Sequence, residues 1–418
     1  MPFVITAADR ASFLRCRRQW DFGARTRQDL EPLRPALPDL DRAVRDALAV
    51  YYFPGMWDWD RGVRLPLVVQ ELERALDRQR RRGGSGGDPA DPPGQEALEA
   101  GPPGQEALEA GPPGQEALEA GPRWQEALEA GRALLASYFA WAPAADRFSP
   151  VLVETDFEVD VLDPARPGSG LVTPDGQVIR YTGRVDLMAV DARDAYWIVR
   201  HRVVDGDWPP TEQLVSDEEQ VAACWAWEQF YLGMAMTGIV WNEVRRPPGP
   251  AAGRPGPPRP RRPWWRRPAR AAGPAVRQHE PSGGGRSIPQ HRRMYVQASQ
   301  PVRVEPVEQQ TEDGYRRTWL RRSPADVAEA GRRLAADLAE MARPDAGVYP
   351  EPSDRNCPPC PFLAPCQAVM GGHDAGPILR SGYRRRPPDG PEEGRLGGRA
   401  WGMGRGAAPP RFRGHPRA

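Results

Sequence analysis

The chain contains no lysine: all 57 of its Lys+Arg positions are arginine. GC-rich coding accounts for that bias, and its chemical consequence is firm. No step that needs a lysine amine, whether a Schiff base or an amine beside an attacking water, is open to this protein. Long apolar runs are also missing, since no window approaches the ~18 apolar residues of a membrane span. The start, MPFVITAADRASF, carries neither a basic leader nor an apolar segment. Together these predict a cytoplasmic location and no membrane partner. Five cysteines in so long a chain argue against a disulfide framework and for metal binding or burial. A net charge of +1 does not by itself point to a polyanion.

Proline (50) and glycine (43) are abundant and unevenly spread. Residues 83–131, 245–293 and 375–418 are expected to be unable to build a core and to be disordered. Removing them leaves roughly 275 residues, enough for one elaborated domain. The segment 83–131 holds PPGQEALEAG three times and then PRWQEALEAG, which continues into RALLASYFAWA. Because each Pro-Pro pair should stop a helix, only the last copy is expected to run on into a packed one. Segment 245–293 carries 13 arginines against the single acid Glu280, with Trp264 and Trp265 inside RPRRPWWRRPAR. That interleaving suits single-stranded nucleic acid, and equally a solvated linker.

Elsewhere periodicity sets the elements. Thr6 caps a helix to about Trp20, and helices follow over 39–52 and 65–82. Alternating β-branched and aromatic residues place strands at 151–162, 177–190 and 195–204. A helix over 217–234, a strand over 238–244, strands near 293–304 and 315–322 and a helix over 324–341 complete the order. The tryptophans of MWDWD and CWAWEQF look like core at helical spacing. Helix, three strands, helix, strand describes an α/β fold with a mixed central sheet flanked by helices.

The most specific motif is CPPCPFLAPC, a C-x2-C-x5-C array of Cys357, Cys360 and Cys366. A C-x2-C turn directs two thiolates to one centre, and the third lies within a short loop. A fourth ligand is best supplied by Cys16 in FLRCRRQW, because Cys224 sits in the apolar run VAACWAW. A 4Fe-4S cluster is the first choice. Zinc is the runner-up, since zinc ribbons more often pair two CxxC motifs, and free thiols remain a third possibility.

An isolated cysteine on an N-terminal helix, C-x2-C-x5-C near the other end and a Gly-x-x-Asp in the sheet between them resemble one family. It is the RecB-like branch of the PD-(D/E)XK nucleases, in particular iron-sulfur members such as the AddB C-terminal nuclease and CRISPR-associated adaptation exonucleases. The resemblance implies a restriction-endonuclease-like domain over residues 1–374, interrupted by 83–131 and 245–293 and followed by the tail 375–418. It also implies a cluster joining Cys16 to Cys357, Cys360 and Cys366, DNA as a partner, and a helicase or repair-complex subunit as another. In GRVDLMAV, Asp186 matches the metal-binding aspartate. The next strand should bring an acid, one spacer and a lysine, and it brings Arg200, His201 and Arg202. Gln220 matches the glutamine of the family's Gln-x-x-x-Tyr motif, with Cys224 in the tyrosine position, and Arg45 falls where many members have histidine.

Residues two apart on a strand share a face, so Arg200 and Arg202 point together while His201 points away. A hydrolytic centre of this kind needs carboxylates around Mg2+ and a base beside water, and arginine cannot be that base. Glu154, on a neighbouring strand, is the one candidate to rebuild a Mg site with Asp186, and Mg2+ is implied only if the protein is active. The arginines then have two readings, as ligands to a backbone phosphate or as ion-pair partners of Asp186 and Glu154. The expected function is a DNA-associated nuclease-fold protein with impaired or lost catalysis. The alternatives are a rearranged Mg-dependent nuclease and a non-catalytic protein scaffold.

Overall fold

Three successive runs of alternating apolar residues build the centre of a seven-stranded sheet. The computed structural model describes residues 2–33, 37–84, 113–246, 306–312 and 314–386. Strands β3 (Phe148–Asp160), β4 (Ile179–Asp191) and β5 (Tyr196–Val204) form an antiparallel meander. Helices α6 (Thr211–Val215) and α7 (Glu218–Phe230) then carry the chain to β6 (Met236–Arg245), which lies parallel to β5. Strand β8 (Tyr315–Arg321) pairs antiparallel with β6, and β7 (Pro306–Glu312) forms the edge beyond it. The short β1 (Phe3–Thr6) runs parallel to the first residues of β4. The molecule is therefore a mixed α/β structure with its sheet between helices, as the order of elements predicts.

The two faces of β5 show how alternation sorts the core. Trp197 and Val199 face α3 (Leu40–Tyr51), α4 (Arg61–Gly84) and α5 (Pro113–Ala145), whereas Ile198 faces α1 (Ala7–Arg15), α7 and α8 (Pro324–Met341). A sheet covered on both sides needs apolar residues on both faces of its strands, which residues 197–199 of β5 and 239–241 of β6 supply. Helix starts follow the capping chemistry: Thr6 with Asp9 and Ser323 with Asp326 form capping boxes, and Asp39 and Asp217 cap α3 and α7. In the Gly-x-x-Asp motif, Gly183 is needed for packing, because a Cβ there would lie 2.4 Å from the Phe157 ring.

Several expectations are corrected. The first helix does not run on to Trp20: Cys16 is extended, and α2 (Arg17–Gly23) starts after it. The break is tertiary in origin, since Arg18 N–H donates to Tyr349 O and Glu351 N–H to Cys16 Sγ. Helix α5 starts in the third decapeptide copy and passes through Pro122, so that proline does not end it. Packing offsets the lost backbone bond: Trp124 and Leu128 join the α3–α4 core, and a Cβ on Gly131 would lie 2.8 Å from Leu72. The polar edge strand β7 lacks the alternation that would have announced it. The strand expected near 293–304 lies outside the described residues. Trp59 is exposed, whereas Trp225 and Trp227 are buried.

The tail also begins later than composition suggests. After α9 (Leu363–Met370), residues Gly376–Gly382 form α10 and Tyr383–Arg385 form β9, which pairs antiparallel with β2 (Leu30–Pro32). Tyr383 is buried against Phe22 and Phe362, and one aromatic anchor with a strand partner orders what glycine and arginine content alone would leave loose.

Beneath α3 and α5 lies a largely buried polar network. Arg317 Nη1 donates to Asp146 Oδ1 at 2.7 Å, and Nη2 donates to Asn242 Oδ1 at 3.0 Å and to the Tyr52 and Tyr138 hydroxyls at 3.3 Å. Asn242 Nδ2 reaches Tyr138 and His201 Nδ1, and the His201 ring stacks on Tyr52. Breaking such a pair strands a charge away from water. Arg317→Met or Asp146→Ala should lower unfolding free energy by about 3–5 kcal/mol, measured by denaturant titration. Arg317→Met combined with Asp146→Leu should recover part of that loss.

Candidate functional site

The backbone between β4 and β5 pairs only from Val190–Tyr196 to Leu187–Val199. Beyond that point comes Asp186, almost wholly buried. Its Oδ1 accepts from Arg200 Nη1 at 2.6 Å, and its Oδ2 accepts from the His201 backbone N–H at 3.1 Å. From α3, Arg45 Nη1 comes within 3.8 Å of the same Oδ1 while pairing with Asp41. Asp41 Oδ1 in turn accepts from the Val203 N–H at 2.6 Å, fixing the start of α3 to β5. Asp186 is thus an acceptor surrounded by cations.

Arg202 goes elsewhere. Its Nη2 donates to Glu243 Oε1 at 2.5 Å, its guanidinium lies 4.9 Å from the Trp241 ring centre, and Glu243 also accepts from Arg316 Nε at 2.6 Å. The expected pairing of these arginines with Asp186 and Glu154 therefore holds for Arg200–Asp186 and is corrected for Arg202, whose partner is Glu243. The reason is register, since Arg202 stands opposite Glu243 across the β5–β6 pair. Asp217, the α7 cap, lies in the field of both Arg200 and Arg202, although burial pushes its carboxyl upward.

Glu154 lies across from Asp186 on β3 and has a left-handed φ of 43°. Its Oε2 is 3.5 Å from Arg184 Nη1, not paired with either Arg200 or Arg202. Burial first, and then the charges of Asp186 and Asp46, push its pKa up to about 7. Gln220 is buried in the first turn of α7, where its N–H is capped by Asp217 Oδ1, and among the described residues its side chain makes no hydrogen bond to Asp186. His201 faces the opposite side in the buried network, and burial pushes its pKa down to about 3, so the ring is neutral.

The arrangement can hold a proton on Glu154 near neutrality and an ion pair at Asp186. A divalent cation would have to displace Arg200. Sequence reasoning did not single out Asp41, Glu243 or Arg184. A lone acid inside the apolar run GIVWNEV was the available signal for Glu243, because a charge in a buried strand requires a partner.

The second constellation gathers Cys16, Cys357, Cys360 and Cys366 around one small pocket, together with Arg18, Glu351, Asn356 and Phe362. Cys16 stands at the α1–α2 break, Cys357 and Cys360 bracket a turn closed by Cys360 N–H to Cys357 O, and Cys366 lies in α9. Asn356 Nδ2 donates to Arg15 O at 3.1 Å and ties the cysteine turn to the end of α1. Cys224 is apart, fully buried in the α7–α8 core, its thiol pushed up to about 12 by burial.

Burial, and then Cys16 and Cys360, push the Cys366 thiol up to about 11. Cys360 is raised by burial and by the same crowding. The neighbouring cysteines that help raise Cys360 and Cys366 make a crowded thiol donor set that a cationic centre would relieve, so its chemistry suits a thiolate-bound metal or cluster. As they stand, no three His, Cys, Asp or Glu side chains among the described residues form a ready single-ion site. No helix among the described residues is long and apolar enough to cross a membrane. No model of a known protein family matches the chain, and no curated protein does.

Glu154 couples stability to pH. Its folded pKa is raised, so the folded state holds the extra proton and stability falls as pH rises from the ordinary glutamate range through about 7. Glu154→Gln should remove that decline and stabilise the protein at pH 8 by ~2 kcal/mol, with little effect at pH 4. Denaturant midpoints of both proteins across that range provide the check.

Proposed function

We propose that this protein is a RecB-like member of the PD-(D/E)XK nuclease fold whose hydrolytic centre has been replaced by ion pairs. In this reading it associates with DNA, or with a helicase or repair subunit, without cutting. The observation that carries it is the coordination of Asp186: one oxygen accepts from Arg200 and the other from the His201 N–H, where a nuclease of this kind would present them to Mg2+. The order of helix, meander, helix and parallel strand supports the fold assignment. Cys16, Cys357, Cys360 and Cys366 would hold a 4Fe-4S cluster, with zinc as the second choice. When bound, such a centre would cross-link the two ends of the domain.

Arg200 and Arg202 are occupied by carboxylates, which favours their ion-pair role over phosphate binding. DNA contact then falls to the arginine-rich stretch 245–293, most of which lies outside the described residues. A second reading has one observation in its favour. Glu154 and Asp186 repel each other across the β3–β4 pair, which is the electrostatic state that a divalent cation relieves, as in a rearranged Mg-dependent nuclease.

Anaerobically purified protein should contain iron and acid-labile sulfide and lose its visible absorbance in Cys360→Ser; about one zinc per chain in a colourless protein would instead establish the runner-up. The same preparation should leave single- and double-stranded DNA intact with Mg2+, and cleavage lost in Asp186→Ala would establish the second reading. In gel shifts, Arg200→Ala/Arg202→Ala should keep wild-type affinity and salt slope, whereas deleting residues 247–293 should lower both. No binding at low salt would leave a protein-contact scaffold.

A further inference from the structure

The residues after α9 do more than end the fold. Strand β9 pairs with β2 in the register Leu30–Arg385, Glu31–Arg384 and Pro32–Tyr383. Arg384 Nε bonds Glu31 Oε1 at 2.8 Å, Arg386 Nη2 donates to Gly23 O at 3.0 Å, and the Arg386 N–H donates to Asp29 O. These contacts bring the Tyr383 ring onto Phe362, stacked at 5.3 Å and 17°, with Phe22 on the same cluster. Cys360 and Cys366 pack against that aromatic cluster. The Tyr383 hydroxyl donates to Pro361 O at 2.7 Å, and Pro361 follows Cys360 directly.

We propose that residues 376–386 are a strap behind the cysteine pocket, with Tyr383 as a positioning residue that pins the Cys360–Phe362 turn and limits access to the Cys360 and Cys366 thiols from the side of the aromatic cluster. The hydroxyl fixes the peptide between two of the cysteines, and the ring supplies apolar cover. Neither contact depends on a bound group; only the consequence for a cluster rests on the function proposed above. Cys360 and Cys366 are half-buried against that cluster, so they react faster the more often it opens locally. The strap therefore governs how long the cysteines stay reduced and how long a centre bound to them survives in air.

The test is site-resolved alkylation of the reduced, metal-free full chain with N-ethylmaleimide, read by mass spectrometry. Tyr383→Ala should speed modification of Cys360 and Cys366 about tenfold, and Tyr383→Phe, which keeps the ring, should fall between it and the wild type. Cys224 is the internal control for global folding, because it is fully buried in a different core. Wild-type rates in Tyr383→Ala with Cys224 protected would overturn the proposal. If Tyr383→Ala exposes Cys224, the Arg384→Ala/Arg386→Ala variant, which loosens β9 and leaves the ring, decides by the same rates. In anaerobically loaded protein, Tyr383→Ala should lose visible absorbance in air about tenfold faster than wild type. Should the wild type carry no metal, the cofactor reading fails and the alkylation rates still judge the strap.

Discussion

A guanidinium cut off from water organises one half of this molecule. Arg317 on β8 is neutralised by Asp146 at the end of α5 and hydrogen-bonded by Tyr52, Tyr138 and Asn242. In one polar cluster it joins the end of α3, the middle and end of α5, and strands β5, β6 and β8. Each nitrogen of this guanidinium finds an acceptor, although Asp146 Oδ2 and His201 Nε2 have no partner among the described residues, and meeting those acceptors constrains the position of each element relative to the others. Apolar packing alone would hold them together with far less directional demand.

That constraint reaches the candidate site through a single residue. The His201 side chain belongs to the network through Asn242 and Tyr52, while its backbone N–H, on the same strand, donates to Asp186. The strand position that orients Asp186 is thus set from the opposite face of the sheet. Arg200 and Arg45 complete the enclosure, and Asp41 anchors α3 to β5 beside them. The result is a compensated cluster of charges in which burial pushes the carboxyls of Glu154, Asp41 and Asp217 upward, Glu154 to about 7.

At the cysteine pocket, the first and last of the described segments meet. Asn356 holds Arg15, Glu351 meets Cys16, and β9 pairs with β2, so the cysteine pocket is assembled from segments more than three hundred residues apart. A metal centre here would add one more tie between contacts that already exist. The aromatic cluster of Phe22, Phe362 and Tyr383 shows that apolar packing shares the work of closure.

Much of the framework was legible in the chain itself. Two-residue alternation located β3 to β5, the cap Thr6 marked the start of α1, and the spacing of Cys357, Cys360 and Cys366 with the polar setting of Cys16 selected four of five cysteines. These are local properties, set by side-chain periodicity and short-range hydrogen bonding. Tertiary structure alone decided the rest: the break at Cys16, the passage of α5 through Pro122, the ordering of β9, and the choice of Glu243 over Glu154 as the partner of Arg202. Each depends on which distant surface supplies a partner, and strand register and helix packing settle that only once the chain has folded. Local pattern therefore determined the elements and the candidate residues, and long-range pairing determined which charges meet.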